Sequence, residues 1–469
     1  MGKKVVVTPK YWMPKGEAKC VGGGQRPLLV WQGIVGEEAL VDVLHKGQNQ
    51  VFARWMRSQK PSPHRVEPPC EKVGACGGCP WMHMDAEGQR AGHEAVVRDA
   101  FQQERLDVDI GAYHASPVDA DYRHVVKVGF GWSDRGRLRM GAWGRRNREL
   151  VAIPKCPVAS PVLRKVMNSL AHHAIELQIH PYDAENHRGV LRSAVLRASR
   201  STGEVLVTLV AAKRTRFLTE LAEAVAQGCS EVVGVWLHIN SGPGNAIFLR
   251  DDEGVVGAVR LAGKETIEDE LNGVTYRVGP GDFFQTHPQM AEVLYRRTLD
   301  RLKLTQDDTL LDLYAGVGGM ALAGAQRAGF ALGVEAVDGA VQRARESARA
   351  NRSNAEFMQG LVLEVLPELT QRFAGVGPKI VVDPARRGLE EGVREAIVSL
   401  KPSRLAYVAC SARSLARDVA PLVQAGWRLQ PLELFAMFPH TPHAEVLAIL
   451  DPPEAPETTR RAPKRKLVR

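Results

Sequence analysis

The sequence predicts an α/β protein in three parts: a small N-terminal β-barrel, a mixed sheet-rich middle domain and a C-terminal domain built on a parallel sheet. The chain has 469 residues, which is enough for about three domains at roughly 150 residues each. Residues 31–55 and 122–279 contain segments of alternating apolar and polar side chains, which is typical of β-strands. From residue 308 onward short apolar strands alternate with helical segments, the pattern of βαβ units and a parallel sheet.

The composition favours a protein that folds in water and binds a polyanion. Lys and Arg number 62 against 53 Asp and Glu, so the net charge is +9, and this excess favours an anionic partner such as RNA. The best apolar run, 317–325, contains three glycines and is too short for the roughly 20 residues of a membrane helix. The first residues lack the apolar core of a signal peptide. We therefore expect a cytoplasmic, monomeric protein that does not span a membrane.

Changes in composition divide the chain at three places. In residues 1–60 short apolar segments at 34–35, 39–41 and 51–53 are broken by Gly36, Gly47 and Asn49, which predicts the β module. A proline-rich segment, 58–69, separates it from the middle domain, 61–280, and the α/β domain follows at 281–451. Residues 452–469 contain many prolines and basic residues and are predicted to be a disordered tail.

Eight segments are predicted as strands of the two larger domains because they are rich in Val, Leu and Ile. Basic residues of the middle domain, among them Arg145, Arg192, Arg197 and Arg200, are candidate phosphate contacts. The predicted strands are Val125–Gly131, Ser193–Ala198, Glu204–Ala211 and Val232–Ile239 in the middle domain, and Thr309–Tyr314, Ala331–Glu335, Ile380–Asp383 and Leu405–Cys410 in the C-terminal domain.

A glycine-rich turn connects the first strand of the C-terminal domain to a helix. Residues 310–319 include Tyr314 and Gly316, and this layout lets backbone N–H groups approach a ligand closely. Glu335 closes the next strand, about 20 residues on, where an acid can bind ribose hydroxyls. The turn is not G-x-G-x-x-G, so S-adenosylmethionine fits better than NAD. A tight turn with packing glycines and no ligand is the alternative.

Four of the seven cysteines have a spacing that indicates a metal site. Cys70, Cys76 and Cys79 form C-x5-C-x2-C, and Cys156 follows in the middle domain. Four thiolates suit either zinc or an iron–sulfur cluster. Three clustered cysteines with a distant fourth favour [4Fe–4S] over zinc, which usually takes two close pairs, and free thiols are a third alternative.

A fifth cysteine, Cys410, ends a predicted strand at the sheet edge where parallel sheets hold ligands. On position alone, an inert buried thiol is an equally good interpretation. Three other segments favour chemistry at this place. Asp383 begins a D-P-A-R segment after another strand, 281–285 opens the domain with G-D-F-F-Q, and 438–445 closes it with F-P-H-T-P-H-A-E.

With these motifs the sequence resembles the RNA uracil-C5 methyltransferases that make 5-methyluridine, in the iron–sulfur branch that acts mostly on 23S ribosomal RNA. The resemblance extends from the β module, which is similar to a TRAM domain, to about Asp451. It implies a Rossmann-like S-adenosylmethionine methyltransferase domain and a middle domain that holds a [4Fe–4S] cluster and binds RNA.

The resemblance also implies residue roles. Cys410, in Tyr407–Ser411, matches the nucleophile that attacks C6 of uracil, and Glu445 matches the base. The implied cofactor contacts are Gln285, Tyr314, Gly316, Glu335 and Asp383, and the implied cluster ligands are Cys70, Cys76, Cys79 and Cys156.

Five positions depart from the family pattern. Ser411 and His287 each stand where the family usually has Asn, and Gly319 stands where it has another polar residue. Leu361 stands where the family commonly has Asp or Asn, and Ala436 stands where it has Asp. Two alternatives therefore stay open, a catalytically weak or silent RNA-binding homologue and a methyltransferase for tRNA uridine. An RNA cytosine-C5 methyltransferase is disfavoured, because it would need a second Cys next to a Pro and the segment from Asp383 to Arg386 has none.

Overall fold

The computed structural model describes residues 3–21, 26–133, 135–145, 149–242, 247–248 and 257–454. Arg146 and the predicted tail from residue 455 onward lie outside these residues. Every helix within the described ranges is too short or too polar to cross a membrane.

The N-terminal part is a single six-stranded sheet with a small core. Val30, Ala39, Val41 and Ala53 form that core. The predicted strand at 34–35 is a turn instead, because Gly36 adopts φ 84° there and bends the chain. The strands are β1 (Lys4–Val7), β2 (Tyr11–Trp12), β3 (Ala18–Cys20), β4 (Leu28–Trp31), β5 (Glu38–Lys46) and β6 (Val51–Lys60), in the order β1-β5-β6-β4-β3-β2.

The middle part is a mixed seven-stranded sheet covered by two helices. Leu209 and Leu237 on the strands pack with Leu170 and Leu221 on the helices. All four strands predicted here are present. The elements are β8 (Val125–Trp132), β9 (Leu138–Trp143), β10 (Leu150–Val151), β11 (Leu191–Ala198), β12 (Val205–Ala211), β13 (Val232–Ile239) and β14 (Val259–Gly263), with α2 (Pro161–Glu176) and α3 (Arg216–Gly228).

The C-terminal part follows a two-stranded hairpin, β15 (Ile267–Leu271) and β16 (Val274–Val278). Its sheet has nine strands, and the first five pair in parallel in the order β19-β18-β17-β20-β21. The strands are β17 (Thr309–Asp312), β18 (Phe330–Glu335), β19 (Ala355–Gln359), β20 (Lys379–Val382), β21 (Arg404–Ala409), β22 (Arg428–Leu429), β23 (Leu432–Phe435) and β24 (Glu445–Asp451), together with β7 (Ile110–His114). The helices are α4 (Pro288–Leu302), α5 (Gly319–Ala325), α6 (Asp338–Ala350), α7 (Val362–Arg372), α8 (Val393–Ser399) and α9 (Ala412–Gln424).

One segment from within the predicted middle domain packs on this C-terminal sheet. Helix α1 (Ala86–Gln103) buries Val97 and Phe101 in the same core as Leu415 and Val419 of α9. Strand β7 pairs in parallel with β23 at the sheet edge. The chain therefore enters the C-terminal domain before it builds the middle sheet, and the cysteine-rich segment lies next to α1.

Candidate active site

The carboxyl ends of four neighbouring strands bring three predicted site residues into one row with Asp312, to which the sequence assigned no role. Glu335 ends β18, Asp312 ends β17, Asp383 follows β20 and Cys410 follows β21. Asp312 pairs with Val381 and Val382 pairs with Tyr407, so the carboxyl ends of β17, β20 and β21 lie close to the same level of the sheet. This edge of a parallel sheet is where open α/β folds hold ligands.

Glu445 reaches the same place from an antiparallel strand. Ala409 of β21 faces Val446 of β24, so the next residues outward, Cys410 and Glu445, are neighbours across the pair. Facing residues in antiparallel pairs have Cα atoms about 5 Å apart. The Glu445 side chain is buried, with 5 % of the residue exposed. A thiol and a carboxyl group thus share one enclosed space.

Three carboxyl groups in this row hold their protons more tightly than usual. Burial raises the pKa of Glu445, and the charge of Asp383 raises it further. Burial and the charge of Asp312 likewise raise the pKa of Asp383. The buried Asp312 has its pKa raised to about 7. Near neutral pH these side chains cannot all be ionised together.

The Cys410 thiol is also shifted toward its protonated form. Burial raises its pKa to about 11, the charges of Glu445 and Asp383 add to this rise, and Arg386 opposes it. A thiolate is the reactive form of cysteine. Arg386 is therefore a protein group that favours activation of this thiol.

The glycine-rich turn is fixed between two carboxylates. The Gly316 N–H donates to Glu335 Oε2 at 2.9 Å, and the Val337 N–H donates to Oε1 at 2.9 Å. From the other side the Ala321 N–H donates to Asp312 Oδ2 at 2.9 Å. Gly316 lies at φ 55°, which glycine adopts without a steric penalty. Glu335 is thereby held beside the turn by two backbone N–H groups.

Two further predicted contacts flank the turn. Gln285 is buried next to Phe284, whose ring packs 5.4 Å from that of Tyr276. The Tyr314 hydroxyl donates to Glu390 Oε2 at 2.5 Å, which directs this side chain toward the loop after β20. The structure thus brings Cys410, Glu445, Tyr314, Gly316, Glu335 and Asp383 to one end of the C-terminal sheet, whereas Gln285 lies between β16 and α4 beside His124 and Arg197 of the middle domain.

Three departures from the family pattern have packing reasons. A Cβ atom on Gly319 would lie 2.5 Å from Tyr295 Oη, so Tyr295 fills the place of a larger side chain. His287 contacts Ser116 Oγ at 2.7 Å and stacks on Tyr122 with 4.8 Å between ring centroids. Ser411 caps α9 by accepting the Ser414 N–H at 3.4 Å. Ala436 is buried, and Leu361 is 55 % exposed before α7.

Besides Asp312, four residues to which sequence reasoning gave no role also belong to this site: His443, Lys127, Arg386 and Arg123. Burial and the charges of Arg386 and Arg123 lower the pKa of His443 to about 4. Burial and the charges of Arg197, Arg386 and Arg123 also lower the pKa of Lys127. Arg386 and Arg123 are therefore close enough for their charges to act on both His443 and Lys127. The motifs D-P-A-R and P-H-A-E were the available signals for Arg386 and His443, whereas Arg123 and Lys127 come from the middle domain.

Each of the predicted phosphate contacts Arg192, Arg197 and Arg200 has a partner within the protein. Arg197 donates to the Asp282 carbonyl oxygen at 2.5 Å, Arg192 to the Asn240 carbonyl oxygen at 2.9 Å, and Arg200 pairs with Glu292. These three arginines join structural elements.

The four predicted cluster ligands converge in a second site. Burial raises the pKa of the Cys79 thiol, Arg123 opposes this rise, and Cys156, Cys76 and Cys70 are close enough for their charges to add to it. The Gly78 N–H donates to Cys76 Sγ at 3.4 Å. Among the described residues, however, no three of these sulfur atoms lie within 4.8 Å of one another. A tetrahedral zinc site with bonds of 2.3 Å needs sulfurs about 3.8 Å apart. The four thiols are therefore not arranged as a preformed zinc site. His172, His173 and Glu176 on α2, of which His173 is half-buried and the other two are exposed, form another donor group.

Comparison with known proteins agrees with this arrangement. Residues 121–451 match the tRNA (uracil-5-)-methyltransferase family, over well more than half of the chain. The chain belongs to this family. It is accordingly an S-adenosylmethionine-dependent RNA methyltransferase of the uracil-C5 class.

Similar proteins cover almost the whole chain. An uncharacterized RNA methyltransferase of Listeria innocua is 30% identical over 431 residues, covering 90% of this chain and 92% of its own. An uncharacterized RNA methyltransferase of Nostoc sp. is 31% identical over 438 residues, covering 91% of this chain and 92% of its own. The structure of Pyrococcus abyssi tRNA (uracil-54, C5)-methyltransferase with S-adenosyl-L-homocysteine has a TM-score of 0.74 at 23% identity. The match covers 95% of this chain and 100% of that chain, and the two proteins share the fold.

Proposed function

We propose that this protein methylates C5 of one uridine in 23S ribosomal RNA, with Cys410 as nucleophile and Glu445 as base. The observation that supports this most is the adjacency of these two side chains across β21 and β24, at the sheet edge that also holds the glycine-rich turn. A silent homologue has no need to keep both groups together in an enclosed site.

The chemistry explains why these residue types are needed. C5 of uracil is a poor nucleophile, and addition of the Cys410 thiolate to C6 moves electron density to C5 as an enolate. S-adenosylmethionine supplies an electrophilic methyl group on its sulfonium. Glu445 then removes the proton from C5. The returning electron pair restores the C5–C6 double bond and expels the Cys410 thiolate.

The cofactor would lie along the row of carboxyl groups. Glu335 would bind the ribose hydroxyls, Gly316 would allow close approach of the adenosine, and Gln285, Tyr314 and Asp383 would contact the remainder. Asp383 and Asp312 both have raised pKa values, so a ligand with sulfonium and ammonium charges would stabilise their ionised forms. This provides a reason for the site to prefer the charged donor.

Activation of Cys410 by Arg386 can be tested directly. Arg386→Gln should shift the pH dependence of Cys410 alkylation by iodoacetamide to higher pH, because Arg386 lowers the pKa of that thiol. At pH 8 the rate should fall roughly threefold, since Arg386 is exposed and its charge is partly screened. Mass spectrometry of the Cys410 peptide measures the rate. The control is Arg387→Gln, because the Arg387 side chain pairs with Glu390 at 3.6 Å. If the pH dependence of alkylation in Arg386→Gln equals that of the wild type, Arg386 does not activate Cys410.

The RNA would approach over the cation-rich mouth of the site. Arg123, Lys127 and Arg386 can contact phosphates, and Phe283, which is 70 % exposed, offers a ring on which an RNA base can stack. An unpaired uridine costs least to turn into such a pocket. We assign residues 1–60 to a TRAM-like module, 61–280 to the RNA-binding middle domain and 281–451 to the methyltransferase domain of a monomer. Residues 86–114 of the middle segment pack on the methyltransferase domain.

The cysteine site would hold a [4Fe–4S] cluster through Cys70, Cys76, Cys79 and Cys156. Four thiolates, three clustered in the sequence and a fourth about 80 residues on, match the ligand set of such clusters. The cluster would cross-link the segment before α1 to the start of α2. Its role would be structural, because methyl transfer from a sulfonium needs no electron.

Loss of the cluster should therefore reduce stability and RNA affinity first. Cys79→Ser should remove the brown colour and the iron of anaerobically purified protein and lower its melting temperature. Cys20→Ser, on β3 outside the cysteine site, is the control and should retain the iron. Iron analysis and thermal melting measure the two effects. Colourless wild-type protein containing one zinc would overturn the cluster assignment.

A second candidate substrate is tRNA, favoured by the family description and by the substrate of the Pyrococcus abyssi relative. Nucleoside mass spectrometry of ribosomal and transfer RNA from a deletion strain, followed by site mapping, separates the two. Loss of 5-methyluridine from 23S RNA supports the proposal, and loss from tRNA alone supports the second candidate. If neither RNA changes and calorimetry detects no binding of S-adenosylmethionine, the protein is a silent homologue.

A further inference from the structure

The loop that leads into Glu445 contains a residue in an unfavourable backbone conformation. His440 lies between β23 and β24 and adopts φ 67°, in the left-handed region that residues with a Cβ atom rarely occupy. Five residues later Glu445 begins β24, where it faces Phe435. The conformation at His440 thus helps to set how the chain enters β24 and where the Glu445 carboxyl group lies.

Surrounding groups bind every polar atom of His440. Its N–H donates to Gln89 Oε1 at 2.7 Å, and its carbonyl oxygen accepts the Trp81 N–H at 2.9 Å. Its Nδ1 lies 3.4 Å from Gln89 Nε2, and its Nε2 lies 3.0 Å from the Asp119 carbonyl oxygen. A strained residue persists only where its surroundings fix it in this way.

Gln89 is central to these contacts. It is buried in the first turns of α1, and its amide nitrogen also donates to the Met84 carbonyl oxygen at 2.8 Å. Its amide group therefore connects the segment after the cysteine site with both the backbone and the ring of His440. Neighbouring bonds hold the same loop: Tyr122 Oη donates to the Pro439 carbonyl oxygen at 3.1 Å, and His93 Nε2 contacts the Thr441 carbonyl oxygen at 2.8 Å.

We propose that Gln89 is a positioning residue for Glu445, acting by holding His440 in its left-handed conformation. This inference rests on the proposed function, in which Glu445 removes the C5 proton. Cys410 directly follows β21, which is held by β20 on one side and by the whole length of β24 on the other, so its place depends less on this loop than that of Glu445, the first residue after it. Loss of Gln89 should therefore slow proton removal and leave nucleophilic attack nearly unchanged.

The test uses the full chain with 23S and tRNA transcripts, made either with uridine or with 5-fluorouridine. Fluorine at C5 cannot be removed as a proton, so attack and methyl transfer end in a stable adduct that needs no base. Gln89→Met should lower kcat on uridine RNA at least tenfold, keep KM within about twofold, and form the 5-fluorouridine adduct at the wild-type rate. The matched control is Gln103→Met, an exposed glutamine at the end of α1 that pairs with Asp99 at 2.8 Å.

A second pair of variants tests the backbone conformation independently of Gln89. His440→Gly and His440→Ala both remove the ring, but only glycine is unstrained at φ 67°. His440→Gly should keep a kcat several-fold higher than His440→Ala, and adding His440→Gly to Gln89→Met should recover part of the lost kcat.

Each outcome decides the inference. Wild-type kcat in Gln89→Met, an equal loss of the fluorouridine adduct, or identical kcat values for the two His440 variants would overturn the positioning role alone. If Gln89→Met fails to fold in a thermal melt, the His440 pair decides. If the wild-type chain methylates neither RNA, the proposed function fails and the positioning role falls with it.

Discussion

Cys410→Ala is expected to abolish methylation while leaving RNA binding nearly intact. Without a thiolate to add at C6, C5 of uracil stays too poor a nucleophile to accept the methyl group, and loss of covalent catalysis should lower the rate at least about 1,000-fold. The contacts proposed for RNA binding come from Arg123, Lys127 and Arg386, which the substitution does not touch. Transfer of labelled methyl groups measures activity, and filter binding measures RNA affinity.

The control for this variant is Cys229→Ala. Cys229 is buried in the core of the middle domain, so its loss tests whether removing a thiol elsewhere affects the assay. Methylation by Cys410→Ala at a rate near that of the wild type would remove Cys410 from the mechanism. A parallel loss of RNA affinity would instead show that the substitution disturbs docking.

The parallel strands of the C-terminal sheet could be predicted from sequence because they are buried on both faces. Such strands appear as continuous apolar runs, and the predicted Ile380–Asp383 and Leu405–Cys410 lie within one residue of β20 and β21. The row of site residues followed from the same runs, because chemistry at a parallel edge comes directly after a strand.

Strand β7 and helix α1 could not be predicted in their places. Strand β7 has five residues and pairs with β23, which lies more than 300 residues later in the chain, and no local pattern encodes such a partner. Helix α1 has polar residues on its buried face, among them Gln89 and His93, whose partners are in the loop before Glu445. Their burial makes sense only once both segments are folded together.

For the same reason, the sequence could not show that Tyr295 fills the space beside Gly319. In the sequence, Gly319 appears only as a missing polar residue. In the structure the Tyr295 hydroxyl group fills that space from α4. A departure from a family pattern is therefore weak grounds for predicting lost activity until the neighbouring side chains are known.

Glu445→Gln is expected to trap the protein covalently on its RNA. The amide cannot accept the C5 proton, so the reaction should proceed through attack by Cys410 and methyl transfer and then stop before the thiolate is expelled. Glutamine has nearly the same shape as the buried glutamate, whose pKa is raised by burial and by Asp383. The neutral amide therefore replaces a side chain that already spends part of its time protonated, and the fold should tolerate it.

The adduct should appear as a slowly migrating band on a denaturing gel when this variant, S-adenosylmethionine and the RNA are mixed. Its formation should require both the cofactor and Cys410, so the double variant with Cys410→Ala is the control. Turnover should fall at least about 100-fold, the lower range for loss of general base catalysis. In the wild type, activity should rise with pH as Glu445 ionises, and because its pKa is raised, this rise should occur above the ordinary range of a glutamate. If the single variant turns over at the wild-type rate, another group removes the proton. If it loses turnover without any adduct on either RNA, Glu445 acts before the covalent intermediate forms and is not the base of the last step.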